Sequence, residues 1–576
     1  MYTLFALVLM VQTLWSGHGH KRDADPDAPI VDLGYSTYRG SHVADTGVDQ
    51  FLGMRYAAPP LGNLRFRAPL DPVNTSTVQD ASSFKPICIS TGAKKPTATK
   101  GEDCLFVNVF KPSHATPNSS LPVWVYIQGG GFMSNSNANF NGTTVIEESG
   151  GDIVFVNFNY RVGALGFLAS EEVRANGDLN AGLLDQRKAL EWVRKYISQF
   201  GGNPDHVVLH GASAGAASVG IHMSAYGGRN DSLFIGAAVE SPFWPGLSTI
   251  QNSEFQFDRF VKDAGCSGPR DAMSCLRSAD ITKIQAANVP SPYPNQKTPP
   301  LWYFLPVVDG DLVQDYLYRV FEDGKYLNVP LLIGDDTDEG TYFVHNAATP
   351  ADVSAFLEAN YPGLSPAQLA EINDAYPKLE PAAQHAEYFS SAAAAYGDAA
   401  FVCPGNFMAE SLAKSLSPTK VWNYRFNVQD PQFVDRGYGT PHTWESSAIF
   451  GPGNAFTLHN APDNTYREVN AAIVPVTMRY WISFVKYLDP NTFKSDDAPM
   501  WEPWGEGRGE RLKIETGATN METVPQAQVE SCELWKKLTP SMTEIPSAGC
   551  GLACNTTFTR WFWGLSLLYL TMFLGV

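Results

Sequence analysis

Charged residues are scarce in this sequence, and basic residues are scarcer than acidic ones. Only 17% of the 576 residues are Asp, Glu, Lys or Arg, and 41 Lys and Arg against 59 Asp and Glu give a net charge of −18. A phosphate backbone repels a chain with this balance. The composition therefore excludes nucleic acid as a partner.

The sequence also has no repeat of fixed period, no low-complexity tract longer than a few residues, and no evident linker between about residues 30 and 545. These absences exclude a solenoid, a disordered chain and a string of small domains. Apolar residues make up 44% of the chain, which is enough for a large core. We therefore expect one large domain, residues 20–546.

Apolar segments rich in Val, Ile and Phe alternate with segments of helical periodicity. We predict buried strands at 123–127, 153–158, 207–210, 233–239, 329–333 and 421–426, and helices at 185–200 and 213–224. Strands that alternate with helices form a parallel sheet with helices on both faces. The predicted fold class is α/β, with a large, mostly parallel central sheet.

Cysteine is rare too, and its spacing does not suit a metal site. The eight cysteines form no CxxC pair. In an oxidising compartment such a set is typical of disulfides. N-glycosylation belongs to the same compartment, and Asn-x-Ser/Thr sites occur in the predicted domain at Asn74, Asn118, Asn141 and Asn230.

The N-terminal apolar segment, residues 4–11, has no charge and is too short to span a bilayer. It precedes the small residues Gly17 and Gly19, which suit a cleavage site. We predict a secretory signal peptide over residues 1–19. An N-terminal core helix is the alternative.

The C-terminal segment, residues 561–576, is apolar and uncharged to its last residue. As a helix its sixteen residues cover about 24 Å, less than a hydrocarbon core of roughly 30 Å. A polar spacer precedes it, and before the spacer come Ser547, Ala548 and Gly549, as in a GPI-anchor signal. We expect residues 547–576 to be exchanged for this lipid anchor, which would be the protein's only contact with a membrane. A retained short membrane anchor or a docked terminal helix is the alternative.

The predicted strand 207–210 runs directly into GASAG at 211–215, ahead of a helix of small residues. In this context G-x-S-x-G forms a strained strand-to-helix turn that exposes the serine hydroxyl at a helix N-terminus. The pattern predicts Ser213 as a nucleophile for acyl transfer. A simple packing turn is the alternative.

A run of three glycines follows the predicted strand 123–127. The backbone N–H groups of Gly130 and Gly131, with that of Ala214, can hold a developing oxyanion, where loss of one donor costs about 3–4 kcal/mol. An ordinary glycine turn is the alternative.

A serine nucleophile needs a histidine base and an acid, in the chain order serine, acid, histidine. Among the histidines late enough in the chain, His442 lies in the Gly- and Pro-rich segment GYGTPHT at 437–443, soon after the predicted strand 421–426. Four acids follow the strand 329–333. Spacing alone does not choose among Asp335, Asp336, Asp338 and Glu339.

Taken together, these motifs resemble the type-B carboxylesterase/lipase family of α/β-hydrolases, which includes cholinesterases and fungal lipases. The resemblance spans nearly the whole predicted domain, through FLGMRYA at 51–57, EDCLFVNV at 102–109, NYRV at 159–162, NAGLLDQ at 180–186 and FGGNP at 200–204. It implies the α/β-hydrolase fold and a small-molecule ester substrate, with no metal or organic cofactor. It also implies a Ser-His-Glu triad in which Glu339, from Asp-Glu-Gly, is the acid and His442 the base. The disulfides that it implies are Cys88–Cys104, Cys266–Cys275 and Cys403–Cys532.

Three departures from the family pattern bear on function. Gln128 replaces a histidine that is common before the glycines, and we expect a hole built from backbone donors to survive this change. Ala212 replaces a glutamate that is common before the nucleophile, which removes a buried carboxylate and shifts the expected pH optimum. The segment 89–103 between Cys88 and Cys104 is short, has no aromatic residue and carries three lysines.

Segment 89–103 discriminates among substrates. In cholinesterases it carries the tryptophan that binds choline by a cation–π contact, and in the family's lipases it forms a longer amphipathic lid. In this sequence the segment has no aromatic residue, its three lysines repel a cation such as choline, and it is too short and polar for such a lid. We therefore expect esters of short- to medium-chain acids, with an interfacial lipase or a non-catalytic adhesion protein as the alternatives. By family position the acyl pocket is walled by four residues, unless these are ordinary core side chains: Phe132, Met133, Phe243 and Trp244. The sequence makes no prediction about the oligomeric state.

Overall fold

A computed structural model describes residues 27–545, except 137, 269–270, 456–461 and 506–508. The expected signal peptide, residues 1–19, lies outside the described residues. So does the expected GPI segment, residues 547–576, with its attachment residues Ser547, Ala548 and Gly549.

Most strands of the described part are short. In chain order they are β1 (Ile30–Asp32), β2 (Thr37–Arg39), β3 (Ser41–Val43), β4 (Val48–Arg55), β5 (Gln79–Asp80), β6 (Ile87–Cys88), β7 (Lys100–Gly101), β8 (Phe106–Pro112), β9 (Leu121–Ile127), β10 (Val154–Phe158), β11 (Gly202–Ala212), β12 (Gly236–Glu240), β13 (Ser248–Thr249), β14 (Val307–Val308), β15 (Leu331–Asp336), β16 (Val421–Phe426), β17 (Glu510–Ile514) and β18 (Asn520–Thr523).

An eleven-stranded sheet organises the molecule, in the order β3-β4-β8-β10-β9-β11-β12-β15-β16-β17-β18. Its middle strands, from β10 to β17 in this order, pair in parallel. The strands at its two edges pair antiparallel. The predicted α/β class with a mostly parallel sheet is therefore confirmed, and the six predicted strands correspond to β9, β10, β11, β12, β15 and β16. The antiparallel edges were not predicted.

Helices connect the strands and cover the sheet. The α-helices are α1 (Thr143–Glu148), α2 (Ala164–Phe167), α3 (Glu171–Asn176), α4 (Ala181–Tyr196), α5 (Ala214–Gly228), α6 (Ile250–Asp263), α7 (Ala272–Ser278), α8 (Ile281–Ala287), α9 (Leu317–Glu322), α10 (Pro350–Asn360), α11 (Pro366–Ala375), α12 (Phe389–Gly397), α13 (Cys403–Ser415), α14 (Pro431–Asp435), α15 (Ser446–Phe450), α16 (Ile473–Tyr487) and α17 (Gln526–Met542). Short 3-10 helices lie at Gly62–Leu64, Ile197–Phe200, Pro418–Lys420 and Asn464–Arg467, and a π-helix at Asp398–Val402. The two predicted helices correspond to α4 and α5.

Strand β9 shows how the two faces of the sheet are covered. Its residues Val123, Val125 and Ile127 lie in a core cluster that also contains buried residues of α5. The alternate residues Trp124 and Tyr126 lie in a second cluster, with buried residues of α16. Since successive side chains of a strand point to opposite faces, the strand is apolar on both, as a sheet between two helical layers requires.

The disulfide pairs implied by the family resemblance are all present: Cys88–Cys104, Cys266–Cys275 and Cys403–Cys532. The last pair joins α13 to α17 across a sequence separation of 129 residues. Within the described ranges, the structure has no helix that is both long and apolar enough to cross a membrane.

The predicted glycosylation sites differ in accessibility. Asn74, Asn118 and Asn230 are exposed, as a glycan attachment site must be. Asn141 is half-buried, and its side-chain oxygen accepts the N–H of Thr143 at 3.0 Å.

Candidate active site

The predicted nucleophile Ser213 occupies the turn between β11 and α5. Its φ of 58° and ψ of −123° are rare for a residue with a side chain. A Cβ on Gly211 would lie 2.3 Å from the carbonyl oxygen of Gly215, and a Cβ on Gly215 would lie 2.0 Å from that of Ile127 in β9. The Ser213 N–H donates to the carbonyl of Glu240 in the neighbouring strand β12, at 2.9 Å. The close approach of α5 to the sheet therefore requires both glycines of the motif.

The glycines after β9 lie directly against this turn. A Cβ on Gly129 would be 2.9 Å from the Cβ of Ser213. Gly130 and Gly131 have φ values of 114° and 60°, which favour glycine. Ala214 is the first residue of α5, where backbone N–H groups have no acceptor within the helix. The predicted oxyanion donors thus belong to two segments that meet at the serine.

Glu339 and His442 come together from loops that follow neighbouring strands, β15 and β16. Nδ1 of His442 is hydrogen-bonded to Oε2 of Glu339, and Oε1 of Glu339 accepts the N–H of Asp336 at 2.8 Å. Asp338 joins the two loops, because its N–H donates to the Thr440 carbonyl at 2.9 Å and its Oδ2 accepts the Thr440 N–H at 2.8 Å. The two loops therefore hold Glu339 and His442 together as one unit.

The geometry distinguishes the four acids that follow β15. Glu339 is the one hydrogen-bonded to His442. Asp336 and Asp338 each accept a backbone N–H of the histidine loop instead, and Asp335 is buried towards α13. The choice of Glu339, which rested on family resemblance, is thus compatible with the contacts.

Burial sets the protonation of this pair. It lowers the pKa of His442 to about 3, against the opposing effect of the carboxylates of Glu445 and Glu240, so the resting imidazole is neutral. Burial and then the charge of Glu445 raise the pKa of Glu339. With its proton on Nδ1 towards Glu339, the imidazole leaves Nε2 to accept another. Nε2 is buried and has no hydrogen-bond partner in the described part of the chain.

A family model described as the carboxylesterase family matches residues 27–535. The chain belongs to the carboxylesterase family. It is 30% identical to "Lipase 2" of Geotrichum candidum over 530 residues, which are 82% of this chain and 89% of that lipase. It is 31% identical to "Secreted lipase 4" of Gibberella zeae over 514 residues, 85% of this chain and 88% of that protein.

The fold also matches the crystal structure of EstA from Aspergillus niger. The TM-score is 0.87 at 55% sequence identity, and the match covers 90% of this chain and 99% of EstA. The predicted α/β-hydrolase fold and the assignment as a carboxylic ester hydrolase are therefore confirmed.

Aromatic side chains surround His442, the predicted base of this carboxylesterase. The rings of Phe401 and Phe343 lie 4.4 Å and 5.1 Å from the His442 ring, centroid to centroid. Phe243 lies 5.6 Å from Phe401 and 5.3 Å from Trp302. These rings form a continuous apolar wall beside the imidazole, which keeps water from it.

Sequence reasoning missed Trp302. A Cβ on Gly131 would lie 2.0 Å from its ring, so the indole covers the glycine turn from the side. Its Nε1 donates to the hydroxyl of Tyr396 at 2.8 Å, which fixes the ring's position. The aromatic run Trp302, Tyr303 and Phe304 was the signal available in the sequence.

The four predicted pocket residues of the carboxylesterase do not share one environment. Phe243 belongs to the aromatic wall, and its N–H donates to the Ser213 carbonyl at 3.3 Å. Met133 is half-buried beside the glycine turn, and its sulfur accepts the Tyr303 N–H at 3.1 Å. Phe132 packs edge-on to a core phenylalanine, and Trp244 packs against side chains of α9 and α13. That these four residues wall the acyl pocket stays a prediction.

In the ranges that the structure describes, no group of three or more His, Cys, Asp or Glu side chains is placed to hold a metal ion.

Proposed function

We propose that this ester hydrolase acts through a triad of Ser213, His442 and Glu339 and an acyl-enzyme intermediate. The observation that carries the proposal is the buried hydrogen bond between His442 and Glu339, which leaves Nε2 as the imidazole's proton acceptor. The strained turn of Ser213, at the end of a strand of the same sheet, supports it.

In the proposed reaction, His442 Nε2 takes the Ser213 proton as the serine oxygen attacks the ester carbonyl. Glu339 holds the proton on Nδ1 and stabilises the imidazolium. The N–H groups of Gly130, Gly131 and Ala214 stabilise the oxyanion. His442 then gives its proton to the departing alcohol, and water releases the acid by the same steps in reverse.

The substrates that we propose are esters of short- to medium-chain acids. Trp302 and Phe243 stand close to the glycine turn and limit the room for an acyl chain. Three exposed lysines in segment 89–103, at positions 94, 95 and 100, make it a poor lid for an oil surface, which needs an apolar face. An interfacial lipase is the second candidate, because relatives of this chain carry the name lipase.

We also propose that the protein is secreted and glycosylated, with residues 20–546 as one catalytic domain. A relative named "Secreted lipase 4" and the exposure of Asn74, Asn118 and Asn230 support this location. GPI attachment at the triplet Ser547, Ala548 and Gly549 rests on the sequence pattern alone.

The test is hydrolysis of p-nitrophenyl esters from acetyl to palmitoyl by protein secreted from the full-length gene. We expect turnover to be fastest on the shorter chains, and Ser213→Ala to lower kcat by at least about a thousandfold. Activity retained by Ser213→Ala would contradict the triad. A rise in activity as a long-chain ester passes its solubility limit would favour the interfacial lipase.

A further inference from the structure

Ala212 leaves no acidic side chain directly before the nucleophile, but a buried acid lies one strand away. Glu240 is the last residue of β12, and the register of the parallel pair sets it beside Ala212. Its side chain is fully buried. A carboxylate in such a place is costly unless its contacts compensate for the lost water.

Glu240 contacts both segments that carry the proposed chemistry. Its backbone carbonyl accepts the N–H of Ser213 at 2.9 Å. Its Oε1 accepts a hydrogen bond from the hydroxyl of Ser446, which begins α15 four residues after His442. One residue thus links the nucleophile turn to the base segment.

Its other oxygen faces a second buried histidine. Oε2 of Glu240 is 3.0 Å from Nε2 of His210, an ion-pair distance without the alignment of a hydrogen bond. Nδ1 of His210 accepts the indole N–H of Trp124 at 3.1 Å. Because an indole nitrogen only donates, Nδ1 of His210 carries no proton and Nε2 does. The hydroxyl of Ser446 donates to Glu240 and therefore favours the ionised carboxylate, whereas the unaligned N–H of His210 is no hydrogen-bond donor to it.

Burial acts in the opposite direction. It raises the pKa of Glu240 to about 8, although the Ser446 hydroxyl and His442 lower it. Besides the two histidines, the titratable groups around this carboxylate and His442 are Glu339 and Asp336 after β15, Glu445 before α15, and Tyr424 of β16. All of these remain in the variants described below.

We propose that Glu240 is a positioning residue that ties the nucleophile strand to the base segment and supplies, from the neighbouring strand, the negative charge that stabilises protonated His442 during turnover. The inference rests on the proposed triad. The proton still moves from Ser213 to His442 and on to the leaving alcohol, and Glu240 does not accept it. In this arrangement β12 provides the carboxylate that Ala212 lacks.

The experiment compares kcat/KM against pH for the full-length secreted enzyme and two variants on p-nitrophenyl acetate. In the wild type we expect activity to rise as the pH passes about 8, because ionised Glu240 stabilises the imidazolium. Glu240→Gln keeps a hydrogen-bond acceptor but not the charge. We expect it to lose this rise, with kcat about tenfold below wild type at pH 9, the equivalent of one pKa unit, and with KM unchanged.

Ser446→Ala is the matched variant, because it removes the link to the base segment and keeps the charge. Loss of a donor raises the pKa of the carboxylate, so we expect the rise to persist and to move to higher pH. The role of Glu240 is structural, and the proposal is wrong, if Glu240→Gln keeps the rise in kcat/KM near pH 8. The same holds if kcat/KM of this variant falls by one factor at every pH. If Glu240→Gln does not fold, an unshifted rise in Ser446→Ala overturns the proposal.

Labelling of Ser213 by a fluorophosphonate separates this inference from the function on which it rests. If the wild type is neither labelled nor active, the triad itself fails, and the role of Glu240 fails with it. If the wild type is labelled and active while the profiles of the variants run parallel to its own, the role of Glu240 alone fails. Melting temperatures within a few degrees of wild type show that each variant is folded.

Discussion

At the scale of single residues, the acid of the proposed triad is held from two sides. Oε1 of Glu339 accepts the N–H of Asp336, and Oε2 is bonded to His442. The carboxylate therefore cannot turn away without losing a backbone contact, and the imidazole is kept in one tautomer. These two bonds distinguish Glu339 from the neighbouring acid, Asp338, which bonds to the backbone of Thr440 instead.

Glu339→Gln keeps the size of the side chain but removes the charge that fixes the tautomer. We expect kcat to fall by about 10³–10⁴-fold with little change in KM. Asp338→Asn is the control, because Asp338 bonds to the backbone of Thr440 and does not touch His442. Steady-state kinetics on p-nitrophenyl acetate measure both, and an equal loss in the two variants would contradict the assignment of Glu339.

The residues that sequence could predict are those with a local pattern. Ser213 and the glycines around it were predicted because a strained turn requires certain residue types at adjacent positions. Glu240 and Trp302 were not, because each reaches the site from a different strand or loop and neither stands in a motif. Their roles depend on which segments meet in space, which a single sequence does not contain.

At the scale of elements, the first turn of α5 rests on the end of β9. In contrast to the contact described for Gly215, a Cβ on Gly220 of the same helix would have no neighbour nearer than the Trp244 indole nitrogen at 3.6 Å. The same substitution therefore has opposite consequences at two points of one helix. Comparing the two variants therefore separates the effect of close packing on stability from the effect of helix propensity.

Gly215→Ala forces α5 away from the sheet, and we expect it to cost about 1–3 kcal/mol and to lower activity, since Ser213 immediately precedes this helix. Gly220→Ala should preserve activity and raise stability by up to about 1 kcal/mol, because alanine favours a helix. Thermal unfolding and kcat measure both. A Gly215→Ala protein as stable and active as wild type would show that the helix can move without harm.

Two of the strands that were not predicted, β4 and β8, contain buried polar residues with distant partners. The central strands read as continuous Val-, Ile- and Phe-rich runs. In β4, by contrast, buried Asp49 accepts bonds from the side chains of Lys111 and Ser113, and in β8 Asn108 accepts the N–H of Gly53. These partners are distant in sequence, so nothing local shows that the polar residues of the two strands can be buried.

At the scale of the whole molecule, the Cys403–Cys532 bond ties α17 to the body of the protein. The larger the loop that a disulfide closes, the more it restricts the unfolded chain. For loops of the sizes set by separations of 129 and 9 residues, the expected stabilisations are about 5 and about 3 kcal/mol.

Replacing both Cys403 and Cys532 by alanine should therefore lower the melting temperature more than replacing both Cys266 and Cys275. Calorimetry of the two double variants at one scan rate gives the comparison. A larger fall for the Cys266–Cys275 pair would show that local packing, rather than loop size, sets the contribution of each disulfide.

The order of the strands also has a consequence for synthesis on the ribosome. In the sheet, β11, β12, β15, β16, β17 and β18 stand side by side in the order in which they are translated. Each new strand can therefore join the edge left by the one before it. Ser213, the proposed nucleophile, emerges first and His442, the proposed base, 229 residues later, about 10–50 s at ordinary rates of translation. For that interval the growing chain carries the proposed nucleophile without the histidine that is proposed to activate it. Under the proposed triad it cannot act on esters before most of its sheet has been made.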